Sequence, residues 1–351
     1  MCDIAMSAQF RCHPGAPMTY LRFGVAFDFR NPPGSGVSLP QIYAQCLQQI
    51  RAVDRLGYDS VWITEHHFVE DGYVPSFVAA AGAVAAITQR VSISSNVLLM
   101  PFHHPIRLAE DLSVLDNLSN GRMMLGVGLG YAHHEFRAFG VERRHRVSLT
   151  EEGIQILRHA WNEERFTFSG KRYAFEDVAV RPQPVQAGGP PLWIAAMSEA
   201  GARRAARLGA HILPQGRRHV VLEPWYEELA ARGARVGDFR VGILRPFIVT
   251  TERKAVAAEV NKGERYRLSI YADWLSEAGD QEILHSSPAP DAIPQNLIIG
   301  GPDEIGDEIE AFVTRFGITD LITWGTSPGV APEIFSESLE RFAQEVMPQF
   351  R

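Results

Sequence analysis

An acidic residue and two histidines, Glu65, His66 and His67, directly follow an apolar run of strand length at residues 60–64. Histidine is the side chain that most readily takes up and releases a proton near neutral pH. Adjacent strand residues point in opposite directions, so we expect at most one of the two imidazoles to face a pocket. The segment therefore predicts either one catalytic histidine or a pair of histidines with a structural role in a loop.

Paired histidines also occur at residues 103–104 and 133–134. Neither these pairs nor residues 66–67 have the H-x-H or H-E-x-x-H spacing that places two imidazoles on one side of a metal ion. We therefore predict no metal site.

Glycines 126, 128 and 130 end another apolar run, at residues 122–129. Glycine lets a ligand approach the backbone closely, but it also allows close packing between strands. The G-x-G-x-G spacing differs from the G-x-G-x-x-G fingerprint of dinucleotide-binding folds, which argues against that class.

Ser198 stands between a predicted strand at residues 192–197 and a predicted helix at residues 199–208. The first amides of a helix carry partial positive charge and bind phosphate well. Ser198 is therefore either part of a phosphate site or an ordinary helix cap. Arg144 and Arg146, which precede the next predicted helix upstream, could add positive charge to such a site.

Apolar runs of strand length alternate with helical patterns almost throughout the chain. The predicted strands span residues 21–27, 60–64, 91–100, 122–129, 192–197, 210–213, 241–250 and 321–324. The predicted helices span residues 41–56, 75–88, 107–118, 149–161, 199–208, 222–232, 252–278, 303–316 and 333–346. This alternation predicts an α/β fold, a (β/α)8 TIM barrel with insertions, and an open doubly wound sheet is the alternative. In a barrel the carboxyl ends of the strands meet at one face, so the polar residues that follow the strands are expected to share a site.

Residues 19–351 are expected to form one domain, preceded by a disordered extension at residues 1–18. Two segments interrupt the repeat. Residues 163–191 are expected to form an inserted excursion, and the polar loop at residues 281–295 is expected to act as a lid, because long loops often close binding sites.

The chain has 351 residues, of which 46% are hydrophobic, and a net charge of −7, values typical of a globular protein. The acidic balance argues against nucleic-acid and anionic-membrane partners, and there is no apolar run of transmembrane length. The three cysteines, Cys2, Cys12 and Cys46, match neither a disulfide framework nor a zinc motif. We therefore expect a reducing compartment and a cytoplasmic location.

Three motifs in order carry a family resemblance. They are TEHHFVEDGYVPS at residues 64–76, HPIRLAEDLSVLDNLSNGRMMLGVGLGY at residues 104–131 and PLWIAAMSEAGARRAARLG at residues 191–209. Together with the ending EVMPQF, they make the chain similar to the bacterial-luciferase-like family of flavin- or deazaflavin-dependent oxidoreductases. The resemblance runs from about Leu21 to Phe350.

The resemblance implies a barrel with reduced FMN at the carboxyl ends of the strands and His66 as the active-site imidazole. It also implies a non-prolyl cis peptide at Asn96–Val97 and a homodimer formed through the second and third helices. The cofactor-binding residues that it implies are Ser95, Asn96, Val97, Gly128, Leu129, Arg146, Met197, Ser198 and Gly201. The chain departs from luciferase itself where Gly128 and Leu129 replace a reactive cysteine and an arginine, and Arg146 lies one residue out of register. Light emission is therefore not implied.

The resemblance favours a monooxygenase that uses O2 and reduced FMN from a separate NAD(P)H-dependent reductase, through a C4a-peroxyflavin. His66 would transfer protons or orient the peroxide. An F420-dependent oxidoreductase that transfers hydride is the alternative, followed by a non-catalytic flavin-binding barrel or a metal-dependent hydrolase. The aromatic residues Phe27, Phe68, Phe102 and Trp324 suggest a partly apolar substrate.

Overall fold

The computed structural model describes residues 20–215, 218–278 and 297–351. The expected extension at residues 1–18 and the expected lid at residues 281–295 lie outside these residues.

Strands and helices alternate along the described chain. The strands are β1 (Arg22–Phe27), β2 (Ser60–Ile63), β3 (Ser92–Ser95), β4 (Leu98–Leu99), β5 (Leu125–Gly128), β6 (Phe166–Ser169), β7 (Ala174–Val178), β8 (Leu192–Ala196), β9 (His211–Pro214), β10 (Gly242–Leu244), β11 (Phe247–Val249), β12 (Ile298–Gly300) and β13 (Asp320–Trp324). The helices are α1 (Leu39–Leu56), α2 (Phe77–Ile87), α3 (Pro105–Ser119), α4 (His133–Ala138), α5 (Arg146–Asn162), α6 (Glu199–Arg207), α7 (Arg218–Ala231), α8 (Arg253–Ala278), α9 (Pro302–Phe316) and α10 (Pro332–Arg341).

Local sequence signals fix several helix boundaries. Pro105 and Pro302 occupy the first helical positions of α3 and α9, where the missing N–H costs no hydrogen bond. Helix α1 ends at Gly57, whose φ of 91° lies in the left-handed region that glycine adopts without strain. Asn120 ends α3 in the same region, with a φ of 55°.

The parallel strands form a closed ring. β1 pairs with both β13 and β2, and β2 pairs with β3. β4 pairs with β5, β5 with β8 and β8 with β9. A bridge between Ile212 and Val241 joins β9 to the start of β10, which pairs with β13. Because the last strand pairs with the first, the sheet is the expected TIM barrel and not the open doubly wound alternative.

Two hydrophobic layers stabilise the barrel. Large side chains fill its interior, where Trp62 and Trp193 meet edge to face with ring centroids 5.4 Å apart. Ala26, Ile322 and Trp324 belong to the same interior cluster. The larger cluster lies between the outer face of the strands and the helices. Phe27 belongs to this outer cluster and packs against Phe29, so the expectation that it lines a substrate pocket is wrong.

The structure divides two of the predicted strands and adds elements that the patterns did not indicate. The run at residues 91–100 is interrupted at Asn96–Val97, where the peptide bond is cis. The run at residues 241–250 is interrupted next to Pro246, which has no N–H to donate to a ladder. The insertion at residues 163–191 contains the antiparallel hairpin β6–β7. Helix α4 and strand β12 were not predicted.

Gly126 permits unusually close packing between β5 and β3. A Cβ at this position would lie 2.1 Å from the backbone oxygen of Ser95, a distance that real Cβ atoms do not reach. A Cβ at Gly128 would lie 2.6 Å from a methyl group of Val97. Strand packing therefore accounts for both glycines without a ligand.

Candidate active site

His66 lies at the carboxyl end of β2 and is buried, with 6% of its surface exposed. Its Nδ1 lies 2.9 Å from Oε1 of Glu135, a residue of α4. The same oxygen accepts the backbone N–H of His67 at 2.9 Å. A carboxylate partner places the imidazole proton on Nδ1 and leaves Nε2 as an acceptor, which lies 3.3 Å from the Tyr131 hydroxyl.

Aromatic rings from three parts of the chain surround the His66 imidazole. The ring centroids of Tyr73, Tyr131, Tyr271 and Trp274 lie 5.0, 5.6, 5.9 and 4.7 Å from that of His66. Burial raises the pKa values of the Tyr73 and Tyr131 hydroxyls well above the usual value, so both stay protonated. The surroundings are therefore largely apolar, with hydroxyl groups able to donate hydrogen bonds.

His67 faces away from His66 and packs in a separate aromatic cluster. Its ring lies 4.8 Å from that of Phe139 and 5.9 Å from those of Phe68 and Phe102. Burial lowers the pKa of His67, which favours the neutral imidazole. His67 thus contributes to packing, and the two neighbouring histidines occupy different environments.

Glu65 connects the end of β2 to the loop after β4. Its carboxylate accepts the Leu99 N–H at 2.7 Å and lies 3.1 Å from Nε2 of His103. Burial by itself raises the pKa of Glu65, but the hydrogen bonds from His103 and Leu99 outweigh burial and lower it. Glu65 is therefore an ionised structural residue.

The residues expected to lie behind a flavin ring form one wall of the barrel mouth. The Ser95 hydroxyl donates to the Gly126 carbonyl at 2.6 Å and accepts the Gly126 N–H at 3.1 Å. The cis peptide Asn96–Val97 follows directly, and the Val97 side chain lies against Gly128. Because its hydroxyl both donates and accepts a hydrogen bond within the wall, Ser95 has a structural role here. Asn96 is half-buried.

The expected phosphate site begins at the amino end of α6. The Ser198 hydroxyl accepts the Gly201 N–H at 3.3 Å and so acts as the helix cap. Met197 is 40% exposed beside it. Both possibilities drawn from the sequence remain compatible with this geometry, because a capping hydroxyl can still donate its own hydrogen to a ligand.

Positively charged groups gather near α5 and α6. Arg146 donates to the Arg143 carbonyl at 3.2 Å. Burial, followed by the charges of Arg143 and Arg204, lowers the pKa of Arg146. Arg144 is different: its side chain is 75% exposed and pairs with Glu142, so it does not contribute to this group.

A cavity of about 320 Å³ lies beside this group and is lined by His133, Phe136, Arg137, Val141 and Arg143. Nε2 of His133 and Nε of Arg143 are buried without a hydrogen-bond partner. Buried polar atoms are normally paired, so these two nitrogens are available to hydrogen-bond a ligand.

A buried ionic network lies between α8 and the barrel mouth. Nε of Arg30 lies 2.6 Å from Asp71, and the Tyr266 hydroxyl donates to the same carboxylate at 3.1 Å. Arg267 pairs with Asp28 at 3.1 Å and stacks on Trp324, 3.9 Å from the ring centroid. Arg267 also pairs with Glu264, which accepts the Ser327 hydroxyl at 2.7 Å. These contacts fix the helix that carries Tyr271 and Trp274 over His66.

Sequence reasoning missed several residues of this site: Glu135, Tyr131, Arg143, Tyr271 and Trp274. Glu135 carried a signal, because it is an acidic residue within the HHEF segment that follows the glycine run. Tyr271 and Trp274 carried none, since their approach to His66 depends on how α8 crosses the barrel.

Replacing Glu135 with glutamine is expected to lower kcat by about tenfold to a hundredfold with little change in KM, because partners of this kind orient the histidine. The Glu135→Asp variant should recover part of the loss, since it restores a carboxylate. Steady-state kinetics with thermal unfolding as a fold control test this. Unchanged kcat in Glu135→Gln would show that the carboxylate does not orient His66.

In the described part of the chain, no helix combines the length and the apolar character needed to cross a membrane. Among residues 20–215, 218–278 and 297–351, no three His, Cys, Asp or Glu side chains form a group that could hold a metal ion.

Comparison with known proteins identifies a family and relatives that cover most of the chain. Residues 21–320 match the family described as luciferase-like monooxygenase. The oxygenase component of the flavin-dependent trigonelline monooxygenase of Acinetobacter baylyi is 26% identical, over 88% of this chain and 90% of the relative. An F420-dependent glucose-6-phosphate dehydrogenase of Amycolatopsis mediterranei is 28% identical, over 85% of this chain and 92% of the relative.

Among solved structures, the monooxygenase RslO1 from Streptomyces bottropensis superposes with a TM-score of 0.83 at 24% identity. The match covers 94% of this chain and 100% of that structure. The likeness supports the barrel fold.

Proposed function

Because this chain belongs to the luciferase-like monooxygenase family, we propose that it is the oxygenase component of a two-component flavin monooxygenase. It would use reduced FMN and O2 to oxidise a small, partly apolar organic substrate. The observation that carries the proposal is the buried His66–Glu135 pair at the barrel mouth. A separate NAD(P)H-dependent reductase would supply the reduced flavin.

His66 would exchange a proton with the reacting groups at Nε2, by way of the Tyr131 hydroxyl that lies 3.3 Å from it. Glu135 fixes the tautomer through Nδ1, so that Nε2 points toward Tyr131 as an acceptor. The rings of Tyr73, Tyr271 and Trp274 would exclude water, which strengthens electrostatic interactions at the site. Reduced FMN, when bound, supplies the electrons that activate O2.

The residues present fit FMN at both of its ends. The wall of Asn96, Val97 and Gly128 would contact the ring system. The buried, unpartnered nitrogens of His133 and Arg143 fit a phosphate oxyanion, with Arg146 and the amino end of α6 at Ser198 adding positive potential.

The family also contains relatives that use F420, such as the Amycolatopsis dehydrogenase. Hydride transfer with F420 is therefore the second candidate, since a cationic group of this kind would accept the anionic tail of either cofactor. Titrating the protein with reduced FMN and with reduced F420 separates the two. We expect tighter FMN binding and substrate-dependent O2 consumption, whereas tighter F420 binding without O2 consumption would overturn the monooxygenase proposal.

Replacing Arg143 with glutamine is expected to raise the Kd for FMN by about tenfold, because hydrogen bonds to charged groups contribute about 1.5–3 kcal/mol. Riboflavin lacks the phosphate, so its binding should not change. Fluorescence titration of both flavins measures the difference. Arg144→Gln is the matched control, since this neighbouring side chain is exposed. Equal losses for FMN and riboflavin would place Arg143 away from the phosphate.

We further propose that the protein is a homodimer formed through α2 and α3. Val114 and Leu118 of α3 are 43% and 63% exposed, although both are apolar. α2 packs beside α3 and is rich in alanine, which permits close approach of a second copy. Sedimentation analysis of Leu118→Glu tests this, because a charge at the centre of such a contact should shift the protein toward monomer.

A further inference from the structure

A second cavity, of about 510 Å³, lies at the amino ends of the strands, the opposite end of the barrel from His66. Ser60 and Ser92 begin β2 and β3 and stand next to each other in register. Arg22 begins β1 and Arg240 precedes β10, and all four residues line the cavity. Inward-facing positions alternate along a strand, and Gly24 and Ala26 of β1 face the barrel interior. Arg22 occupies the next inward-facing position, so the cavity is the axial opening of the barrel.

The cavity lining carries more positive than negative charge. Arg351 pairs with Asp59 at 2.9 Å, and Arg240 pairs with Asp320. Arg22 and Arg90 also line the cavity. Among the described residues, no carboxylate lies within 4.0 Å of either guanidinium. Neither guanidinium is held in an ion pair, so both can bind an anion, although the charge of Arg90 also lowers the pKa of the nearby Asp54.

His211 begins β9 and lies next to Arg240. Its Nδ1 accepts the Arg240 backbone N–H at 3.2 Å, which requires an unprotonated nitrogen. Burial lowers the pKa of His211 to about 4, and the charges of Arg240 and Arg22 lower it in the same direction. The neutral imidazole therefore adds no positive charge beside the arginines.

The cavity also offers neutral hydrogen-bond donors. The Ser60 hydroxyl accepts the Trp62 indole N–H at 2.8 Å and keeps its own hydrogen to donate. The Ser92 side chain, half-buried, lies beside it. A guanidinium group can donate two parallel hydrogen bonds to the oxygens of one phosphate. The volume of the cavity lies within the range of small-molecule sites.

We propose that the amino-terminal opening of the barrel binds a small phosphate-bearing anion with at least two negative charges, at a site separate from the flavin site. Two unpaired guanidiniums match the charge of such an anion, and the serine hydroxyls match its remaining oxygens. Binding would join the starts of β1, β2 and β3, which carry Arg22, Ser60 and Ser92, and would thereby stabilise the folded barrel.

Isothermal titration with pyrophosphate at constant ionic strength tests the proposal. We expect Arg22→Gln to weaken binding by about tenfold or more and Arg90→Gln to weaken it severalfold, because each removes one charge-assisted contact. Arg107→Gln, on the exposed face of α3, should bind like the wild type. Arg143→Gln should also bind normally, because it changes the flavin-phosphate cavity and not this one.

Thermal unfolding without phosphate separates a ligand site from a structural role. Arg22→Gln should unfold at about the same temperature as the wild type, because among the described residues the Arg22 guanidinium has no carboxylate within 4.0 Å to lose. Arg90 is exposed, so Arg90→Gln provides a folded test even if Arg22→Gln is unstable. Undetectable pyrophosphate binding, or equal binding by wild type, Arg22→Gln and Arg90→Gln, would overturn the proposal.

Discussion

The His66→Asn variant is expected to turn over its substrate about 10²–10⁴ times more slowly than the wild type, which is the usual contribution of a positioned acid–base group. Asparagine retains hydrogen-bonding capacity near Glu135 but cannot exchange a proton near neutral pH. The effect should fall on kcat, and FMN binding should change little. Stopped-flow measurement with reduced FMN, O2 and a substrate that the wild type oxidises gives the rate.

The matched control is His67→Asn, because His67 is the same residue type at the next position but packs against Phe68, Phe102 and Phe139. We expect its kcat to stay within about threefold of the wild type, because the His67 ring packs in a separate aromatic cluster and its replacement acts on packing alone. If both variants lose activity equally, or if His66→Asn remains fully active, His66 is not the proton-transfer group.

Replacing Asp71 with asparagine is expected to lower the free energy of unfolding by about 3–5 kcal/mol, because it removes the carboxylate in direct contact with the buried Arg30 guanidinium. Neither side chain of the pair is accessible to solvent. Both terminal nitrogens of Arg30 are already without hydrogen-bond partners, so Asp71 provides the direct ionic contact. Urea unfolding followed by circular dichroism measures the change.

Asp111→Asn serves as the comparison, since Asp111 pairs with Arg107 at the surface of α3 and a pair of this kind contributes little. We expect its unfolding curve to match that of the wild type. A similarly small effect for Asp71→Asn would mean that water or a neighbouring carboxylate compensates Arg30. Asp28 is the nearest candidate, because its charge also raises the pKa of Arg30.

The barrel could be predicted from the sequence because its signals are local. Apolar runs bounded by turn residues fixed the strands at residues 60–64 and 192–197 within a residue or two. The interruption of the strand at residues 241–250 was harder to predict. Pro246 has no N–H, and whether this breaks a strand depends on whether a neighbouring strand offers a carbonyl at that position. Helix α4 has only six residues, too few for a clear periodic pattern.

The site could be predicted only in part, because most of its contacts join residues that lie far apart in the chain. His66 was identifiable from its type and its place after a strand. Its partner Glu135 lies 69 residues away. Tyr271 and Trp274 lie farther still, on a helix that the buried Arg267–Asp28 pair places over the barrel. Such contacts follow from the closed fold and leave no periodic trace in the chain.

The glycine run illustrates how one pattern supports two interpretations. From the sequence alone, Gly126 and Gly128 were compatible with ligand approach or with strand packing. The absence of space for a Cβ against Ser95 and Val97 explains both through packing. The glycines still affect the site, because they bring the wall that contains Asn96–Val97 close to β5.

The position of Trp274 has a practical consequence. Its indole ring lies 4.7 Å from His66 and 5.4 Å from His134, whereas Trp62 and Trp193 belong to the barrel interior. An indole emits light at wavelengths that a flavin absorbs, so a flavin bound beside it would quench that emission strongly. Trp274 would therefore serve as an intrinsic optical probe of flavin occupancy, and Trp274→Phe would identify its share of the signal without any added label.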